Sequence, residues 1–304
     1  MWPQKQIEGG PEGVSPPAGA WRQRLHPQHA VQPLASIPAG GSVASHHHHE
    51  RLPSLCVVDL AAGYPDDKRA VSEINFDVYP GERVAVVGPN GAGKSTLFKA
   101  IAGVIPFTSG EISQGGRDCS DSHDLIGYVP QQNAVDWNFP ASVGDVVMMG
   151  RARQIGWFRW PSAADWKAVQ HALDQVGMLK YINRRIGRLS GGQKQRVFIA
   201  RALTQAADVL LLDEPFNGVD VTATEEILDT LDRLRQDGVT VLVATHDMDL
   251  ATTQFDKMML IKRKLIAYGR PDDVYTPDNL KAAYGSRVSF LRDGERILVA
   301  LDEH

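Results

Sequence analysis

From Leu55 onward the chain is punctuated by short apolar runs that read as strands. The runs at 84–87, 209–212 and 239–244 are almost continuously hydrophobic, the pattern of strands buried on both faces of a parallel sheet. The stretches 55–60 and 74–78 flank the turn-rich Gly63-Tyr64-Pro65-Asp66-Asp67 and predict two further strands ahead of these. Helical spacing takes over in between. A helix is expected at 95–101, then a helical region over about 143–186 in which Trp166, Val169, Leu173 and Val176 keep one face. Ile199, Ala202, Leu203 and Ala206 form an apolar stripe on a helix over 194–206, and Ile227, Leu231 and Leu234 do the same on the next. The runs 258–261 and 265–268 read as a closing hairpin. A short helix near 279–283 and a last hairpin, 288–291 with 297–301 around Asp293-Gly294, complete the chain. Strands and helices in alternation predict an α/β fold.

Residues 1–50 have none of this texture. They are rich in Pro, Gly, Gln and Ala, follow neither period and contain Pro-Pro and Gly-Gly pairs, so a disordered tail is expected. The tail ends in His46-His47-His48-His49, whose unprotonated imidazoles could bind a transition metal, although a passive solvated tract has the same composition. Across all 304 residues, 43% are apolar and 22% charged, ordinary for a soluble globular protein, and the net charge of −4 leaves no basic stripe for nucleic acid or anionic lipid. Cys56 and Cys119 lie far apart and outside any metal-ligand spacing, which suits a reducing cytosol and two inert thiols. No apolar run approaches the roughly 18–20 residues that a spanning helix needs, so a membrane role would require docking onto other subunits.

The candidate chemistry sits at the ends of the predicted strands. After the run 84–87 comes Gly88-Pro89-Asn90-Gly91-Ala92-Gly93-Lys94-Ser95-Thr96, opening into the helix at 95–101. Its glycines let backbone N–H groups converge on phosphates, and the helix N-terminus adds positive potential. Lys94 would reach the β- and γ-phosphates, and the Ser95 hydroxyl would ligate Mg²⁺. The run 209–212 ends in Asp213-Glu214, where Asp213 is expected in the Mg²⁺ shell and Glu214 as the general base that orients and polarises an attacking water. The run 239–244 delivers His246 to the same sheet edge, within reach of the γ-phosphate or the water. Gln131 offers an amide to Mg²⁺ or to that water, and Tyr64 a flat face on which adenine can stack. Ser190, with Gly191, Gly192 and Gln193 at a helix start, forms a second anion site. Because the first loop already holds the triphosphate, this second one suggests a site shared between two copies of the chain.

Taken in this order, the phosphate loop, Gln131, the segment Leu189-Ser190-Gly191-Gly192-Gln193, Asp213-Glu214, Asp220 and His246 resemble an ATP-binding cassette (ABC) ATPase over about residues 54–270. The resemblance implies a P-loop NTPase core with a parallel sheet, an N-terminal antiparallel β subdomain and an inserted α-helical subdomain at about 135–186. The cassette would occupy 51–270, leaving the tail 1–50 and a C-terminal extension 271–304 with a short helix and hairpin. It further implies a head-to-tail homodimer sandwiching two ATP, each held by the phosphate loop of one copy and residues 189–193 of the other, with Asp220 also at the nucleotide. Closure and reopening would then move a membrane permease.

The stretches 135–140, 145–151 and 216–220 narrow the resemblance to the ATPases of manganese, zinc and iron importers. That implies ATP and Mg²⁺ as cofactors, an integral membrane permease as partner and an extracytoplasmic metal-binding protein as an indirect one. No nucleic-acid partner is expected. The chain would be cytoplasmic, peripheral on the inner face of the cell membrane. Asn217 stands where the wider family more often has serine in the turn before Asp220, a turn that asparagine tolerates well. The alternatives are a soluble ATPase of the same family in regulation or nucleic-acid remodelling, and the motor of an importer for another substrate. A P-loop kinase would leave residues 189–193 without a role.

Overall fold

The computed structural model describes residues 52–118, 125–131, 137, 140–156, 158–285, 288–293 and 296–301, all within the unit His49–His304. The tail expected at residues 1–50, its histidine tract and Cys119 lie outside them. Strands β1 (Leu55–Tyr64) and β2 (Asp67–Val78) pair antiparallel from Leu55↔Val78 to Tyr64↔Asp67, so both run well beyond the apolar stretches that predicted them. The register slips three times along the pair, and each slip shifts the phase of the in-out alternation, which is why the apolar pattern shows only part of either strand.

Next come β3 (Arg83–Val87), helix α1 (Lys94–Ile101), β4 (Phe107–Gln114), β5 (Arg117–Asp118) and β6 (Ile126–Val129). Three helices come after them, α2 (Val143–Met148), α3 (Ala152–Ile155) and α4 (Ala163–Gln175), then α5 (Gly191–Leu203), β7 (Val209–Asp213), α6 (Val221–Gln236), β8 (Thr240–Ala244) and α7 (Met248–Gln254). The chain ends with β9 (Lys257–Lys262), β10 (Lys264–Gly269), α8 (Pro271–Val274), α9 (Pro277–Tyr284), β11 (Val288–Asp293) and β12 (Arg296–Leu301).

These strands form an antiparallel sheet in the order β2-β1-β4-β5, a larger sheet in the order β10-β9-β3-β8-β7-β6, and the pair β11-β12. In the larger sheet every pairing is parallel except that of β10 with β9. The fold is α/β with a mostly parallel core sheet, a separate antiparallel sheet and a block of helices between β6 and β7.

The continuous apolar runs have a direct structural reason. Alternate residues of each core strand face opposite sides of the sheet, and both sides are covered. Ala85, Val87, Leu210, Leu212, Val241 and Val243 join one buried cluster with residues of α2, α4, α5 and α6, while Val84, Val86, Val209, Leu211, Leu242 and Ala244 join the other with residues of α1 and the antiparallel sheet. At about 25 cal/mol per Å² of apolar surface removed from water, a strand buried on both faces gains roughly twice the stabilisation of an amphipathic one.

The helical region over 143–186 is broken rather than continuous. Gly156 at φ 76° ends α3, Pro161 comes next, and α4 restarts on a capping box in which Ser162 accepts from the Asp165 N–H and Asp165 accepts from the Ser162 N–H. An equivalent box of Ser142 and Asp145 opens α2. Helix α5 begins earlier than its apolar stripe suggests, because Ser190 caps it, and it ends before Ala206, which sits at φ 59° past the helix terminus. Among the described residues no helix is long and apolar enough to cross a membrane. Cys56 is a free thiol whose pKa burial, foremost, pushes up to about 11, in keeping with an inert group.

Candidate active site

Because β6, β7, β8 and β3 are parallel neighbours, their C-terminal ends open on one edge of the sheet, and the loops leaving them are brought together there. Those loops carry Gln131 after β6, Glu214 after β7, His246 after β8 and the stretch 88–96 after β3. These residues line a cleft of about 740 Å³.

The loop at 88–96 is glycine-rich for packing reasons as well as chemical ones. Gly93, at φ 98°, is the N-cap of α1, and a Cβ there would stand 2.3 Å from Val71 Cγ1; a Cβ on Gly88 would stand 2.2 Å from the Ile261 carbonyl oxygen. Helix α1 has no side-chain cap, so the loop's geometry leaves its N-terminus to an anion. Lys94 is buried and donates to the Gly88 carbonyl at 2.8 Å, with the Glu214 carboxylate at 3.7 Å. Burial lowers its ammonium pKa, and the charges of Glu214 and Asp213 oppose that shift.

Ser95 donates to Asp213 Oδ1 at 3.0 Å and Tyr128 to Oδ2 at 3.2 Å. Asp213 is only 3% exposed, and its burial raises the carboxyl pKa against the pull of those two hydrogen bonds. Asp213 is not itself among the residues lining the cleft, but its buried carboxylate bonds the hydroxyl of Ser95, which lines it together with Gln131, and these hard oxygen donors suit Mg²⁺. A cation there would offset the cost of the buried charge. The residues present therefore fit the ion.

Glu214 accepts across the mouth of the cleft from His246 Nδ1, 2.8 Å from Oε2, so the pair holds a carboxylate and an imidazole in one orientation. Its backbone adopts φ 50°, unusual for a side-chain-bearing residue and doubly so before Pro215, which favours an extended conformation in the residue ahead of it. Two hydrogen bonds hold the backbone there: the Glu214 N–H donates to the Ala244 carbonyl at 3.0 Å, and the Asn217 N–H donates to the Glu214 carbonyl at 3.2 Å. Strain of this kind is stored where surrounding structure over-determines it, and here it aims a carboxylate into the cleft.

Other residues singled out by sequence lie away from this wall. Tyr64 is partly exposed with Lys99 Nζ 5.9 Å from its ring centroid, and it is not among the residues lining the cleft. Ser190 and Gln193 cap α5 reciprocally, at 3.4 and 3.1 Å, with Gly191 and Gly192 in its first turn. Asp220 caps α6 by accepting from the Ala223 N–H at 2.8 Å. Neither helix start lines the cleft of its own chain. Conversely, the cleft includes Asp67, Ala70, Asn217, Arg263 and Tyr284, which sequence reasoning did not assign to it. Arg263 sits in the tight β9–β10 turn at φ 59°, paired with Asp67 at 2.8 Å, and its N–H donates to the Ala92 carbonyl of the loop. Only knowledge of how the turn packs on the loop would have exposed it.

Comparison with known proteins agrees with this geometry. Residues 71–217 match the family described as ABC transporter. The chain is 47% identical over 226 residues to the manganese transport system ATP-binding protein MntB of Bacillus subtilis (strain 168), covering 74% of this chain and 90% of that one. It is 42% identical over 233 residues to the zinc transport system ATP-binding protein TroB of Treponema pallidum (strain Nichols), covering 77% and 87%. Among solved structures, a metal-chelate type ABC transporter in an inward-facing conformation superposes with a TM-score of 0.69 at 30% identity, over 81% of this chain and 96% of that one. On sequence and fold together, the chain belongs to the ATP-binding subunits of ABC transporters, ATPases that couple ATP hydrolysis to transport.

Proposed function

We propose that this chain is the motor of an importer for a divalent transition metal, manganese, zinc or iron, acting on a separate membrane permease from the cytoplasmic face of the membrane. The observation that carries the reading is the convergence of Lys94, Ser95, Gln131, Glu214 and His246 on one cleft in a chain whose relatives are named for manganese, zinc and chelated-iron transport. In this reading the loop at 88–96 and Lys94 bind the ATP phosphates, Tyr64 stacks on adenine, and Ser95, Gln131 and Asp213 hold Mg²⁺. Glu214 accepts the proton of the attacking water, and His246 keeps Glu214 and the terminal phosphate aligned. Ser190, Gly191, Gly192, Gln193 and Asp220 serve the nucleotide of a second copy, an assignment supported by their lying off their own chain's cleft.

The cassette spans 51–270 with its helical subdomain at about 135–186. That lobe exposes Phe158 completely and Trp160 at 89%, large apolar side chains of the kind that subunit interfaces cover, which supports a permease contact there. An extracytoplasmic metal-binding protein would feed the permease.

The test is total manganese, zinc and iron in cells lacking the chain, rescued either by the intact chain or by Glu214→Gln. Selective loss of one metal, restored only by the intact chain, is the expected result and names the cargo. Unchanged metals under scarcity would instead point to an importer for another substrate or to a membrane-free ATPase.

A further inference from the structure

We propose that Tyr284, carried to the cleft by the C-terminal helix α9, is a further residue of the nucleotide site and donates a hydrogen bond to the terminal phosphate of ATP. The inference rests on reading the cleft as the site of the ATP phosphates.

Tyr284 lines the same cleft as Glu214, Asn217 and His246, although it belongs to the extension beyond the closing hairpin. Its position is fixed by the helix that bears it. Leu280 and Ala283 bury into the core cluster, Thr276 caps α9 by accepting from the Asn279 N–H at 3.3 Å, and the Asn279 amide donates to the Val274 carbonyl at 3.0 Å. Lys262, at the end of β9, donates to the Ala282 carbonyl at 3.4 Å. Gly285, at φ 68°, turns the chain away immediately after the tyrosine. The helix thus ends at the mouth of the cleft with an aromatic ring held in place.

The chemistry comes from the ring's surroundings. Among the described residues the Tyr284 hydroxyl makes no hydrogen bond, so a partly buried residue on the wall of a pocket built for phosphate has a donor to spare. Burial, and next the negative charge of Glu214, push its pKa above that of an ordinary tyrosine, so the group stays protonated and keeps its O–H to donate. It is therefore no rival to Glu214 as base. A neutral donor beside that carboxylate can satisfy a terminal phosphate oxygen without adding a charge that would compete with Lys94.

The test uses the full-length chain and the isosteric change Tyr284→Phe, which keeps the ring and removes one oxygen. Affinities for ATP and ADP are measured with Mg²⁺ by titration calorimetry, in a chain that also carries Glu214→Gln so that ATP survives, and turnover is measured with Tyr284→Phe alone. The expected result is an ATP affinity lower by about tenfold, the usual worth of one hydrogen bond to a charged group, with ADP affinity unchanged and turnover reduced to match. Equal losses for ATP and ADP, or an ATP affinity and turnover within about twofold of the parent, would overturn the proposal. Failure of the parent chain itself to bind either nucleotide would instead overturn the reading of the cleft.

Discussion

The left-handed backbone of Glu214 makes a measurable claim about how the site is held together. Replacing Glu214 by alanine or by glycine removes the same contacts, the 2.8 Å hydrogen bond with His246 and the 3.7 Å approach of Lys94. Both leave the backbone bonds to Ala244 and from Asn217 available. The two variants differ only in what they ask of the backbone. At φ 50° a residue with a Cβ carries a conformational cost of about 1–2 kcal/mol, which alanine keeps and glycine escapes. Glycine in turn loses more entropy on folding, by about 0.5–1 kcal/mol. The net is a glycine variant more stable than the alanine one by about 0.5–1 kcal/mol, or about 1–4 °C in Tm for a unit of this size. Thermal unfolding followed by circular dichroism, with the urea midpoint as a second readout, measures the difference. Both variants should lose turnover, since the carboxylate is gone. A glycine variant equal to or less stable than the alanine one would show that the backbone stores no strain there.

Lys94→Ala should abolish ATP binding in equilibrium titration, because it removes a buried ammonium from the cleft wall; retained affinity would show that the loop's amides suffice. Ser190→Arg should stop turnover while ATP still binds at the chain's own phosphate loop, and a normal rate in that variant would refute a site shared between two copies. Gly192→Ala should destabilise by about 1–3 kcal/mol, since a Cβ there would meet Ala223 Cβ at 2.5 Å between α5 and α6; an unchanged melting temperature would mean the two helices can part at no cost.

What was legible in the sequence, and what was not, divides along a physical line. The runs that became β3, β7 and β8 stand out because both faces of the sheet are covered, so nearly every position between their ends is apolar. Strand β4 went unseen for the opposite reason. Phe107–Gln114 has its face half exposed and is interrupted by Gly110, where a Cβ would strike the β1 backbone at 2.5 Å, so its sequence carries polar residues and a glycine where a core strand would carry valine. The short helices α7 and α8 escaped as well, being too brief for a helical period to declare itself. Helix α5 opens where Ser190 and the two glycines mark a helix start, ahead of its apolar stripe, and only its end differs: it stops at Leu203, short of Ala206 at φ 59°.

The site obeys the same division. The phosphate loop begins directly after a buried strand, and Asp213-Glu214 and His246 sit within two residues of the ends of two others; a parallel sheet guarantees that such ends meet, so a local pattern was enough to predict a common edge. Tyr284 and Arg263 reach the same cleft by another route. Arg263 depends on how closely a hairpin turn approaches Ala92, and Tyr284 on how a C-terminal helix docks through Leu280 and Ala283. Nothing in a window of sequence around either residue encodes that docking, because the contacts that position them are made by chain far away. The extension beyond β10 thus looked unreadable as sequence, yet it supplies part of the wall on which Glu214 and His246 stand.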